Sequence, residues 1–337
     1  MADPIDIAGP YFEDFAIGQE FDAPAVTLTA GHAALNQAVT GDRLRLPLDH
    51  HASRAVTGAD APLAHPLLVT HVAIGQSTWA SQRVKANLFY RGLVYLRPLH
   101  LGDTLYTQTR VAALRRNRSQ SGRAATGMVA LEVITHDQGG RQVLHFWRCP
   151  MIPCKDPRAE EGRQDDLALV GSEPLEPLLR LAVPGNWRTA AVTAAWAGRK
   201  AADLAVGMRF RIEARDTVTA APEMVRLTLN MAMAHVDARL SYLDQRLVYG
   251  GHTIGIAFAQ LARALPNLIT LVGWESCDHT APVMEGDRLR SEVTVLALEA
   301  VAEGALLKLL VRAFASRGAA QEEETLALEW VLWALSA

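Results

Sequence analysis

The chain has 337 residues, of which 50% are hydrophobic and 20% charged, and its formal net charge is −3. With a pI near 6.4, that balance leaves no basic field to attract nucleic acid or an anionic membrane. No apolar run reaches the roughly eighteen residues of a membrane span, and the length suggests roughly two domains.

The opening MADPIDIAGP lacks the charged and apolar regions of a secretory signal. Cys149, Cys154 and Cys277 are an odd set without metal-ligand spacing. They read as reduced thiols, so the expected compartment is the cytoplasm and no metal is expected.

In chain order, DFAIGQEFDAPAVTL begins with a turn and a short extended piece, and a helical segment follows over 31–40. Next comes DHH (49–51), which could suggest a metal site but has no further ligands at recognisable spacing, and reads as a polar loop. An apolar helix is expected near 67–80, then four strand-like runs, LFYRGLVYL, TLYTQTRVAAL, ATGMVALEVIT and QVLHFWRCP. Between the second and third, RRNRSQSGR (115–123) reads as a polar hairpin end, with a phosphate contact as the alternative. The charged stretch 155–177, carrying Pro and Gly, has the composition of a linker.

The same order then repeats. DLAVGMRFRIEARDTVTAAPEMVRLTLN (203–230) echoes 14–42, LVYGGHTIGIAFAQ (247–260) echoes 63–76, and APVMEGDRLRSEVTVLAL (281–298) echoes 97–114. A helical segment is expected at 222–229 and a longer one near 252–264, opened by Gly250-Gly251 and closed by LPN. ITLVGWES, RLRSEVTVLAL, ALLKLLVRAF and TLALEWVLWAL follow, the third of which could pass for helix. One domain is written twice: residues 1–154, a linker over 155–190, and residues 191–337. A helix followed by consecutive strands argues an α+β unit, an antiparallel sheet wrapped on a helix. Two such units pair their edge strands into a pseudo-dimer within one chain.

LTLNMAMAHVD (227–237) poses the functional question. On a continuous helix Asn230 and His235 would point roughly 140° apart. Either His235 is a core histidine and Asn230 ends a helix, or the chain breaks between them and both serve one site.

YFEDFAIGQ, LVYGGH and VMEGDRLRSEVTV resemble motifs of the MaoC-like double-hotdog hydratase/dehydratase family, over nearly the full chain. Asn230-x4-His235, VYGGH (248–252), His279 to Pro282 and Gly286-Asp287 are similar to the mesaconyl-CoA hydratase (β-methylmalyl-CoA dehydratase) branch. Length and composition also resemble uncharacterised mycobacterial members. The resemblance implies reversible addition of water to a 2-enoyl-CoA thioester, branched and dicarboxylic acyl groups included. It gives His235 the role of proton carrier, Asn230 that of orienting the water, and the Gly250 N–H that of holding the thioester oxygen. Gly251, His252, Asp237 and His279 become substrate-binding or supporting candidates.

Three departures from the family stand out. Asn230 replaces the usual Asp, and MAMA replaces a turn-forming Asn-Pro. Asp278 also stands where the related enzymes tend to have Arg against a substrate carboxylate. In the first copy the position five beyond Asp42 is Pro47, so that half has lost the pair and is expected to accommodate the acyl group. No cofactor is expected beyond the CoA of an acyl-CoA substrate, and a homodimer is the further partner considered. The rival readings are a hotdog thioesterase, with Glu223 or Asp237 as its carboxylate, and a non-catalytic acyl-CoA-binding protein.

Overall fold

The computed structural model describes residues 5, 7–118, 124–156, 163–302, 304–318 and 323–337. The tip of the arginine-rich hairpin (119–123) and part of the expected linker (157–162) lie outside the described residues.

The first half carries β1 (Glu20–Phe21), β2 (Val26–Thr27), β3 (Ala86–Tyr95), β4 (Thr104–Arg116), β5 (Thr126–His136) and β6 (Gln142–Pro153). Its helices are α1 (Ala30–Thr40), α2 (Arg45–Leu48), α3 (His50–Thr57) and α4 (Pro66–Gln76). After α5 (Glu176–Ala182) and α6 (Ala190–Thr193) the second half begins. It contains β7 (Arg209–Arg211), β8 (Asp216–Thr217), α7 (Ala221–Leu227), α8 (Met233–Val236) and α9 (Gly250–Ala264). Then come β9 (Leu268–His279), β10 (Arg288–Val301), β11 (Gly304–Ser316) and β12 (Thr325–Ser336).

The long strands form one antiparallel sheet in the order β1-β4-β5-β6-β3-β9-β12-β11-β10-β7. The halves join where β3 pairs with β9, Tyr90 opposite Cys277 and Leu93 opposite Trp274. Each half would otherwise expose an edge there; pairing satisfies its backbone groups. The doubtful run ALLKLLVRAF is a strand, held by ladders to β10 on one side and β12 on the other.

Both central helices lie in the curve of the sheet. Every residue of α4 is buried, as suits a helix that is apolar on all sides. Leu68, Val72 and Ile74 of α4 share one core with Ile254, Phe258 and Leu261 of α9, and with Trp274 and Trp330 of the sheet. The helix expected near 67–80 stops at Gln76 and tightens into a 3-10 segment, Ser77–Ser81. His50 and His51, expected in a polar loop, instead open α3, where Asp49 Oδ1 accepts the N–H groups of His51 and Ala52. An aspartate at that position satisfies the donors a helix start leaves unpaired.

His71 lies in the middle of α4, fully buried, with no protein hydrogen-bond partner for either ring nitrogen. Burial, with smaller contributions from His65 and His252, holds its pKa down at about 3. Below the ordinary value of 6.5 the unfolded chain takes up this proton and the folded one does not, so stability falls with pH from there toward pH 3. His71→Leu should flatten that loss by up to about 1.4 kcal/mol per pH unit. Near neutral pH it should leave the melting temperature unchanged or higher, since it removes unpaired polar atoms. Chemical denaturation at pH 5 and pH 7.5 measures both effects; equal slopes in the two proteins would contradict them.

Candidate active site

The segment between α7 and α9 settles how Asn230 and His235 are presented. Helix α7 ends at Leu227, and Thr228 turns its hydroxyl back to the Met224 carbonyl at 2.9 Å. Leu229 then takes a left-handed conformation, φ 55°, which few non-glycine residues adopt. The Asn230 side chain closes the turn: its Oδ1 accepts from the Ala232 N–H at 2.9 Å. This bond does locally what a turn-forming Asn-Pro would do.

Contacts with the first half fix the turned chain in place. The Met231 N–H donates to Thr78 Oγ1 and the Met233 N–H to the Gln82 carbonyl, both at 2.8 Å. Helix α4 comes so close that a Cβ on Gly75 would lie 1.7 Å from the Thr228 oxygen. Only glycine fits there. The short helix α8 then carries His235 to the same side as Asn230.

Asn230, His235, Gly250 and His279 line one cavity of about 230 Å³ at the junction of the halves. His235 Nδ1 donates to the Leu247 carbonyl at 2.8 Å, which leaves Nε2 as the nitrogen with a free lone pair. Burial is the main influence on this ring; it outweighs the Leu247 bond, is reinforced by the Arg148 charge, and holds the pKa at about 4. The imidazole is therefore neutral at pH 7 and able to accept a proton. Asn230 Nδ2 has no protein acceptor among the described residues and remains available to the cavity.

Gly250 is the first residue of α9, and no side chain caps that end. Its N–H has no intrahelical acceptor, and the helix dipole adds partial positive charge there. The His279 ring rests on this glycine: a Cβ would lie 2.4 Å from Nε2. That nitrogen is buried without a protein partner, as is the Tyr249 hydroxyl beside it in the cavity wall. Burial, then the neighbouring His235, brings His279 down to about 4.

The other sequence-stated candidates fall outside the cavity wall. Asp237 caps the short 3-10 turn after α8, accepting from the Arg239 N–H. His252 points away, its Nε2 3.2 Å from the Val39 carbonyl of α1. Gly251 packs against the Tyr249 ring. Successive residues of a helix point roughly 100° apart, so neither Gly251 nor His252 shares the face of Gly250. Glu223 is exposed on α7. No Asp or Glu among the described residues lines the cavity. His50 and His51 also lie elsewhere.

Sequence reasoning missed the first half's contribution, Lys85, Asn87, Tyr90 and Arg148. Arg148 had a legible signal. It shares the inward parity of β6 with Leu144 and Phe146, both fully buried, so a charge stands in an otherwise apolar row. At the matching end of α4, Pro66 takes the first helical position and His65 caps it, accepting from the Leu67 N–H. Proline has no N–H to offer a ligand. His65 and Asp42 are paired at 3.1 Å and buried, so the matching end of α4 offers no N–H at its first position and has both nitrogens of its cap imidazole engaged.

A double hotdog in which an imidazole and an uncapped helix start line the same cavity defines the class. The chain belongs to the MaoC-like double-hotdog hydratase/dehydratase family. It is 30% identical over 302 residues, 87% of this chain and 84% of the relative, to the β-methylmalyl-CoA dehydratase of Chloroflexus aurantiacus. Among solved structures, the double-hotdog protein Rv0216 of Mycobacterium tuberculosis superposes with a TM-score of 0.90 and 46% identity, covering 99% of this chain and 100% of that one. A MaoC-domain protein of Chloroflexus aurantiacus gives 0.84 and 25%, covering 97% of each chain. No protein-family model matches.

Proposed function

We propose that the chain adds water reversibly across the double bond of a 2-enoyl-CoA thioester. The observation that carries this is the convergence of a neutral imidazole and an uncapped helix start on one cavity that no carboxylate among the described residues lines. The thioester oxygen takes the Gly250 N–H at the start of α9, where charge developing on an enolate is stabilised. A water between His235 Nε2 and Asn230 Nδ2 donates one hydrogen to the imidazole and accepts one from the amide. Its oxygen bonds to C3, the electron pair of the double bond moves toward the thioester, and His235 returns the proton to C2. Dehydration runs the same steps backward.

The product is a 3-hydroxyacyl-CoA, and the steps use no cofactor beyond the CoA of the substrate. Lys85 at the cavity wall, with Arg83 in the adjoining cleft, suits the CoA phosphates. The free cysteines support a reducing cytoplasmic setting, and no described helix is long and apolar enough to cross a membrane. Thioester hydrolysis is the weaker reading because Glu223 and Asp237 stand outside the cavity. Assays with crotonyl-CoA and mesaconyl-CoA separate the alternatives: hydroxyacyl-CoA supports hydration, free CoA supports hydrolysis, and binding without product supports an acyl-CoA-binding protein.

Asn230→Asp provides a second test. The bond from the Ala232 N–H is kept, and a carboxylate oxygen replaces Nδ2 near His235. Negative charge favours imidazolium and raises the histidine pKa from about 4. Because His235 must be neutral to accept a proton, the acid limb of kcat/KM should move to higher pH by roughly one unit. An active, folded N230D enzyme with an unmoved limb would remove Asn230 from the water site.

A further inference from the structure

The two central helices end differently. Gln76 and Gln260 hold matching positions in the repeat. From Gln260, α9 runs on to Ala264, whereas α4 stops at Gln76 and tightens into the 3-10 segment Ser77–Ser81. The residues that follow differ in kind. Ser77, Thr78 and Ser81 stand where the second copy has Leu261, Ala262 and Leu265, and all six are buried. Packing therefore accepts apolar side chains at these positions, and a buried hydroxyl is costly there unless it is bonded.

The hydroxyls are bonded, and toward the site of the other half. Ser77 and Ser81 accept from Arg148 in the cavity wall. Thr78 accepts the Met231 N–H at 2.8 Å while its own O–H donates to the Gly75 carbonyl. With its one hydrogen spent on Gly75, this hydroxyl has none to donate to a substrate and acts on the turn instead. Met231 lies inside the loop that Asn230 closes onto the Ala232 N–H. The loop follows the left-handed Leu229, a conformation that persists only where its surroundings over-determine it. Gly75, Thr78 and Gln82 supply those surroundings, spaced three and four apart as neighbours on one helical side are. Gly75 acts by close approach and Gln82 through its main-chain carbonyl, so Thr78 is the side-chain tie among them.

We propose that Thr78 is a positioning residue for hydration: through its bond to Met231 it fixes where the Asn230 amide stands relative to His235. This rests on the hydratase reading above. It makes the first half, through the altered end of α4, a determinant of the rate at which the second half works. A displacement of about 1 Å in a reacting geometry can cost about 10²-fold in rate.

The test pairs kinetics with amide exchange. Thr78→Val puts a methyl group where the hydroxyl was, and Thr78→Ser keeps the hydroxyl. With whichever of crotonyl-CoA and mesaconyl-CoA turns over faster, Thr78→Val should lower kcat by roughly 10- to 100-fold. KM should stay within roughly threefold, since uniform binding is untouched, and Thr78→Ser should recover most of the rate. Hydrogen exchange of the ligand-free protein should show the Met231 amide losing protection in Thr78→Val and regaining it in Thr78→Ser. A folded Thr78→Val enzyme with wild-type kcat would overturn the proposal. So would equal losses in the valine and serine variants, which would assign the effect to packing, or a raised KM with kcat kept, which would make Thr78 a binding contact. If Thr78→Val does not fold, Thr78→Ala removes the same hydroxyl and is judged by the same outcomes. A wild type that binds both thioesters and turns over neither would remove the hydratase reading and this role with it, a result no Thr78 variant can imitate.

Discussion

His235→Ala should lower enoyl-CoA hydration by roughly 10²–10⁴-fold, the usual contribution of a positioned acid-base group. The loss is expected to be large because nothing nearby can take over. No carboxylate among the described residues lines the cavity, and the His279 ring lies against Gly250, at the thioester end of the proposed path. In the proposed path Asn230 would hold the water, but its amide cannot accept the proton. The fold should survive: the variant gives up one hydrogen bond to the Leu247 carbonyl, worth about 0.5–1.5 kcal/mol. Circular dichroism and melting temperature should therefore stay close to wild type while turnover disappears. A folded variant retaining most of its turnover would remove His235 from the chemistry.

Gly250→Pro should cost roughly 10²–10³-fold in turnover, the effect of losing one oxyanion donor. The substitution copies what the first half already has. Pro66 opens α4 at the matching position, and the first turn of a helix tolerates proline because its N–H groups have no intrahelical acceptor. The companion variant Gly250→Ala keeps the N–H but brings its Cβ within 2.4 Å of His279 Nε2, so that ring must move. Steady-state rates for the pair distinguish the two contributions. A much smaller loss for alanine places the effect on the amide; an equal loss in both would assign it to the displaced His279 instead.

The duplication was legible because each half repeats the same order of helices and strands, and the eight long strands fall where the apolar runs stand. Spacing alone left Asn230 and His235 open between a helix end and a shared site, and the resemblance to the family joined them. The turn that unites them was not legible, because it depends on the left-handed Leu229 and on anchors at Thr78 and Gln82, some 150 positions away in the chain. Asp237, His252 and Gly251 were nominated because they adjoin motif residues. Adjacency in sequence fails there: one is a cap, and the others lie on different faces of α9 from Gly250. Arg148 shows the opposite case. Its inward parity in β6 can be read from the sequence, but only the folded chain reveals that this strand faces a site built by the other half.

The most direct measurement follows the atoms of water. Wild-type protein is incubated with crotonyl-CoA and mesaconyl-CoA in ¹⁸O-labelled water, and the products are analysed by mass spectrometry. The expected result is an intact thioester with labelled oxygen at C3, formed by wild type and lost in His235→Ala. Label in a free carboxylate together with released CoA, or no label in any product from a protein that binds both thioesters, would contradict the assignment of this cavity to hydration.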